Sequence, residues 1–106
     1  MEKVYHKLIR DGIPALIEAE GKTCRLQVLT DEEYLVEVDK KLDEELAEYH
    51  KDQNLEELAD LLEVLYAAVR ARGYTISELE DARAKKHEKR GGFDKKLLLI
   101  SVDDGK

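Results

Sequence analysis

The chain has 106 residues, of which 42% are hydrophobic and 41% are charged, and its formal net charge is −7. This acidic balance argues against a nucleic-acid partner, which requires a basic surface, and no apolar run approaches the roughly 20 residues of a membrane span. The length suits one domain over residues 1–106, which we expect to bind neither nucleic acid nor membrane. The lone Cys24 cannot form an internal disulfide, which fits a cytoplasmic protein.

The first predicted helix runs from about Asp11 to Glu20. Asp11 is a candidate N-cap, and Pro14 falls in the first turn, where its missing N–H costs nothing. Gly21 favours the end of the helix. The following segment, 24–29, alternates weakly between apolar and polar residues, which is typical of a short strand.

Two capped helices are predicted in the middle of the chain. Thr30 and Glu33 have the spacing of a capping box, and the helix that they begin should run to about Asp52. Asn54 caps the next helix, which is apolar on nearly every side over residues 55–69 and is therefore expected to be buried. Since only a tight turn separates these helices, they should pack as an antiparallel hairpin.

A last helix is predicted from Ser77, as its cap, to Arg90, where two glycines follow. The apolar tail over residues 97–102 is the candidate strand partner of the segment 24–29. The sequence therefore predicts an all-α fold. It should have a four-helix core, a central antiparallel helix hairpin and at most a two-stranded ribbon (24–29 with 97–102).

An acidic stripe runs along the third predicted helix, within about 120° of arc at 100° per residue. Its members are Glu56, Glu57, Asp60 and Glu63. On the second helix, Glu45 and Glu48 lie beside the predicted apolar face, whose members are Leu35, Val38, Leu42, Leu46 and Tyr49. Counting outward from the turn places Glu48 level with Glu57, and the same count places Glu45 level with Asp60. Two acidic pairs should therefore face each other across the hairpin.

Facing carboxylates need compensation, since two of them about 5 Å apart repel by roughly 3 kcal/mol at an effective dielectric near 20. Solvation, protonation or a bound cation would relieve this repulsion. Clusters of carboxylates with open water positions suit Mg²⁺ or Mn²⁺. A solvated face is the alternative for Glu44, Glu45 and Glu48, and stabilisation by the helix dipole is the alternative for Glu56.

Three separated motifs resemble one protein family. The sequences EELAE at 44–48 and EELAD at 56–60 resemble the EExxE…EExxD signature of the MazG-like, all-α nucleoside triphosphate pyrophosphohydrolases. The segments 6–14 and 86–93 look like those of its small phosphoribosyl-ATP pyrophosphohydrolase-like branch. The resemblance therefore covers nearly the whole chain.

The resemblance implies an enzyme that uses Mg²⁺, or Mn²⁺ in its place, to hydrolyse a nucleoside triphosphate between the α- and β-phosphates. The products would be a nucleoside monophosphate and pyrophosphate, and the role would be nucleotide house-cleaning. The implied metal ligands are Glu45, Glu48, Glu57 and Asp60, supported by Glu44, Glu56 and Glu63. The candidate phosphate or nucleotide contacts are Lys7, Arg10, Arg83, Lys86, Arg90 and Phe93.

Two other functions are open at the level of sequence. One is hydrolysis of phosphoribosyl-ATP in histidine biosynthesis, which uses the same metal chemistry. The other is a non-catalytic helical module whose acidic stripe docks a basic partner. In each case the apolar surface of the third helix exceeds what three short helices cover, so we expect a homodimer or a larger homo-oligomer.

Overall fold

The computed structural model describes residues Met1–Lys106 and consists of four α-helices without a strand. The helices are α1 (Ile13–Ala19), α2 (Asp31–Asp52), α3 (Leu55–Ala71) and α4 (Ile76–Arg90). The all-α prediction is thus confirmed. The chain forms two compact units, residues 1–76 and 77–106. A single domain over the whole chain stays a prediction.

The α2–α3 hairpin forms as predicted, and its ends follow from local hydrogen bonds. Thr30 and Glu33 make the reciprocal capping box, in which the Glu33 N–H donates to Thr30 Oγ1 at 3.2 Å. Gln53 ends α2 in a left-handed conformation (φ 51°). Asn54 Oδ1 then accepts from the Glu57 N–H at 2.9 Å and begins α3. The short turn therefore brings α3 back along α2.

The apolar contact of the hairpin is concentrated away from this turn. Val38 of α2 is 1% exposed and is the one fully buried side chain. Leu35 on the same helix and Val64 and Ala68 of α3 are half-buried. Leu46, which continues the predicted apolar face of α2 towards the turn, is 42% exposed. The one fully buried position thus lies away from the turn, while Leu42, Tyr49 and Leu61 are half-buried nearer to it.

The helix α1 confirms one predicted terminal feature and corrects another. Pro14 lies in the first turn, as predicted. Asp11 does not cap the helix, because Gly12 occupies the N-cap position and no side chain caps it. Instead, the Ile13 N–H donates to the Arg10 carbonyl at 3.1 Å, so a backbone turn satisfies this donor.

Three further predictions are wrong. The helix α3, which was expected to be buried, has no fully buried residue in this chain, and its Leu55 is 77% exposed. Neither segment of the proposed ribbon, 24–29 or 97–102, forms a strand. A ribbon of two strands is marginal unless another element covers one face, and Val28 is 97% exposed. Ser77 is not the cap of α4, since the helix already begins at Ile76.

No helix in the chain has both the length and the apolar character needed to cross a lipid bilayer.

Candidate metal centre

Five carboxylates converge at the turn end of the hairpin. Oxygens of Glu45, Glu57 and Asp60 lie within 4.8 Å of one another. Oxygens of Glu48, Asp52 and Glu57 meet the same limit. Because Glu57 belongs to both groups, we call these five residues the acidic cluster. The structure brings together all four predicted metal ligands and adds Asp52.

Helical spacing explains the cluster. Glu45, Glu48 and Asp52 stand at i, i+3 and i+7 of α2 and so share one face, while Glu57 and Asp60 stand at i and i+3 of α3. The antiparallel turn makes these two faces meet. Asp52 was missed in the sequence, although its position four residues after Glu48 is the signal that could have identified it.

The electrostatics of Glu57 reflect this crowding. Partial burial raises the pKa of the Glu57 carboxyl, and the negative charges of Asp52, Asp60, Glu48 and Glu45 raise it further. A carboxyl behaves in this way when its anion is disfavoured by like charges nearby. The four neighbouring carboxylates therefore act on Glu57 as like charges.

Lys41 supplies one internal counter-charge at the edge of the cluster. Its Nζ lies 3.2 Å from Glu44 Oε1 and 3.4 Å from Glu45 Oε1, and its side chain is only 14% exposed. Burial alone would raise the pKa of Glu44, but Lys41 and Lys7 hold it below its usual value. Lys41 was also missed in the sequence, where its position four residues before Glu45 could have indicated the pair.

Two predicted phosphate-binding cations contact the same region from the N-terminal segment. The Arg10 Nη2 donates to Asp60 Oδ1 at 2.6 Å, and its Nη1 lies 3.9 Å from Glu63 Oε1. Lys7 Nζ lies 3.4 Å from Glu44 Oε1. Glu44 and Glu63, two of the predicted supporting acids, thus pair with cationic side chains. The third, Glu56, is exposed in the first turn of α3.

The other predicted nucleotide contacts belong to the unit of residues 77–106. Arg83 donates to Glu80 one turn earlier in α4, and this bond raises the pKa of Arg83 and lowers that of Glu80. Lys86 and Arg90 are exposed on the same helix. Phe93, just beyond α4, is 96% exposed. Arg83 is therefore engaged within its own helix.

The donor set of the cluster consists only of carboxylate oxygens. Such sets select hard cations, with Mg²⁺ and Mn²⁺ favoured where water completes the coordination, while zinc prefers sulfur and imidazole ligands. The residues present therefore fit a divalent cation of the magnesium type. Asp60 and Glu45, however, each carry an ion pair that such a cation would have to replace or share.

Comparison with known proteins identifies one sequence relative. An uncharacterized protein of Mycolicibacterium smegmatis is 52% identical to this chain over 42 residues, which make up 40% of this chain and 43% of that protein. The match thus spans less than half of the relative's length. No family model and no solved structure matches the chain.

Proposed function

We propose that this protein is a divalent-metal-dependent nucleotide pyrophosphohydrolase whose acidic cluster binds Mg²⁺ or Mn²⁺. The observation that carries the proposal is the approach of the Glu45, Glu57 and Asp60 oxygens to within 4.8 Å. Carboxylates this close repel one another, and a bound divalent cation would relieve that repulsion. The resemblance of the 44–48 and 56–60 motifs to the MazG-like pyrophosphohydrolases supports the choice of reaction.

The chemistry divides between the cation and the side chains around it. When bound, a divalent cation neutralises phosphate oxygens and makes water a usable nucleophile at neutral pH. Glu45, Glu48, Glu57 and Asp60 would hold it, with Asp52 as an additional ligand. Lys7 and Arg10 bring positive charge to the same end of the hairpin, where they suit the oxygens of a polyphosphate.

The proposed reaction is cleavage between the α- and β-phosphates of a nucleoside triphosphate in the cytoplasm. The products are a nucleoside monophosphate and pyrophosphate. House-cleaning of unwanted nucleotides is the preferred role, and phosphoribosyl-ATP is the alternative substrate. The contacts proposed for Arg83, Lys86, Arg90 and Phe93 stay predictions.

The proposal includes a homodimer or a larger homo-oligomer with α3 near the interface. Four leucines at i, i+3, i+7 and i+10 support it: Leu55, Leu58, Leu62 and Leu65 are 77%, 44%, 44% and 41% exposed. Helical geometry places the centre of this stripe about 120° around α3 from the half-buried Val64 and Ala68. A second copy would cover it. A monomer in sedimentation at micromolar concentration would contradict this part of the proposal.

The test is pyrophosphate release from standard and modified nucleoside triphosphates and from phosphoribosyl-ATP, with Mg²⁺, with Mn²⁺ and with EDTA. We expect metal-dependent release that Glu57→Gln lowers by at least about 100-fold, because a shared ligand is lost while the side-chain size is kept. Asp39→Asn is the matched control, since it removes a carboxylate of the hairpin that lies on α2 outside the cluster.

Absence of release from every substrate, by a protein with intact helical circular dichroism, would contradict the proposal. The acidic interaction module would then be the better account. The best substrate in a positive panel would separate house-cleaning from histidine biosynthesis.

A further inference from the structure

The N-terminal strap, which we define as residues 7–12, contacts both helices at the turn end of the hairpin through Lys7 and Arg10. It contains no helix or strand, yet Leu8 and Ile9 within it are half-buried. On either side of them, Lys7 contacts Glu44 of α2 and Arg10 contacts Asp60 of α3. The strap is therefore held next to the acidic cluster by two ion pairs, with two half-buried apolar residues between them.

We propose that Arg10 and the divalent cation compete for Asp60, so that metal binding displaces Arg10 and loosens the strap. This inference rests on the proposed function, because it takes the acidic cluster to be the metal site. The 2.6 Å bond from Arg10 Nη2 engages one of the two carboxylate oxygens that Asp60 can offer. The guanidinium charge also opposes the approach of a second cation.

Exposure identifies Arg10, rather than Lys41, as the exchangeable counter-ion. The side chains of Arg10 and Asp60 are 54% and 42% exposed, so water can replace their bond at little cost. Those of Lys41 and Glu45 are 14% and 13% exposed, and both belong to the same helix. Lys41 should therefore stay in place when the metal binds, while Arg10 leaves.

The strap then lowers the apparent affinity for the metal, because only molecules with Arg10 detached offer a fully open Asp60. Once displaced, the guanidinium stays near the cluster, because Lys7, three residues earlier, still pairs with Glu44. The guanidinium is then available to a phosphate oxygen of the substrate. Arg10 would thus exchange a carboxylate for a phosphate when metal and nucleotide bind.

The first test is calorimetric titration of Mn²⁺ into the full chain, into Arg10→Gln and into Arg72→Gln at low salt. We expect Arg10→Gln to bind Mn²⁺ about two- to five-fold more tightly, as the loss of a competing exposed ion pair implies. Arg72→Gln removes the same charge, but Arg72 pairs with Asp39 at 3.2 Å. Asp39 lies about 9 Å along α2 from Glu45, so this control should bind Mn²⁺ like the unaltered chain.

The second test follows the Arg10 Nε–H resonance while Mg²⁺ is added to the unaltered chain. The chemical shift of the Arg10 Nε–H should change with the same Mg²⁺ midpoint as that of the Glu57 amide. The chemical shift of the Arg72 Nε–H should not change. Should Arg10→Gln lose helical circular dichroism, Arg10→Lys replaces it. This variant loses the guanidinium fork but keeps the charge, and it should show a smaller gain in affinity.

The outcomes separate this inference from the function on which it rests. Equal Mn²⁺ affinities for Arg10→Gln and the unaltered chain, with an unmoved Arg10 resonance, would overturn the competition while the metal site stands. No Mn²⁺ or Mg²⁺ binding by any of the proteins would overturn both proposals. Tighter binding by Arg10→Gln alone, with a moving Arg10 resonance, supports the competition.

Discussion

The two ends of the α2–α3 hairpin are built from the same pair of helices but differ in apolar burial and in charge. The open end, residues 31–42 and 64–72, contains the buried Val38 and the Asp39–Arg72 ion pair at 3.2 Å. The turn end, residues 43–63, contains the acidic cluster and the exposed Leu46. Both ends belong to the same two continuous helices, so the difference comes from the side chains that each end carries.

This difference suggests a division of roles along one hairpin. Apolar contacts at the open end favour folding, because they remove hydrophobic surface from water. Like charges at the turn end oppose folding, and partial burial together with the neighbouring carboxylates raises the pKa of Glu57. A protein that keeps such a region gives up some stability there for function. The open end would thus hold the turn end in position.

The largest expected effect on stability comes from the open end. Val38→Ala removes two buried carbons and leaves a cavity, so we expect a loss of about 2 kcal/mol in the free energy of unfolding. Urea unfolding followed by circular dichroism measures it. Leu46→Ala at the turn end removes more carbons from a 42% exposed side chain and should cost less. Equal losses in the two variants would show that the ends do not differ.

The pH dependence of stability should show a smaller effect, and its sign should differ between the two ends of the hairpin. The pKa of Glu57 is raised in the folded chain, so its ionisation opposes folding once the pH rises above the unfolded value near 4.5. Glu57→Gln should therefore gain stability relative to the unaltered chain as pH rises from 4 to 8. The same variant is expected to lose metal-dependent turnover.

The matched change at the open end is Glu33→Gln. Bonds with the backbone and side chain of Thr30 lower the pKa of Glu33, so its ionised form supports folding above pH 4.5 and this support is lost as the pH falls. Glu33→Gln should therefore lose a little stability at neutral pH and none in acid. Urea midpoints across this pH range decide the matter, and shifts of the same sign in both variants would refute the contrast.

Local patterns in the sequence predicted most of the hairpin. The Thr30 capping box and the Asn54 cap depend on residues only three apart, and both form. With the turn position known, counting residues placed Glu48 beside Glu57 and Glu45 beside Asp60, and the structure groups them in the same way. Caps and helical faces are short-range properties, which explains why the sequence alone revealed them.

Contacts that depend on irregular chain could not be predicted in this way. The bond between Arg10 and Asp60 joins residues 50 positions apart, and the strap has no period that would orient it. The ribbon failed for a related reason: alternation in 24–29 indicates a strand only if a partner and a covering layer exist. Leu46 was expected on the apolar face but is 42% exposed, because it lies about 80° around α2 from Val38, at the edge of that face.

The most direct measurement is the broadening of backbone amide resonances of the ¹⁵N-labelled chain by substoichiometric Mn²⁺. A metal at the acidic cluster should broaden the amides of Glu45, Glu48, Asp52, Glu57 and Asp60 first and leave those of Val38 and Arg72 sharp. Glu57→Gln should weaken the effect. Broadening that is absent, or that is as strong at the open end as at the turn end, would contradict the assignment of the turn end as a metal site.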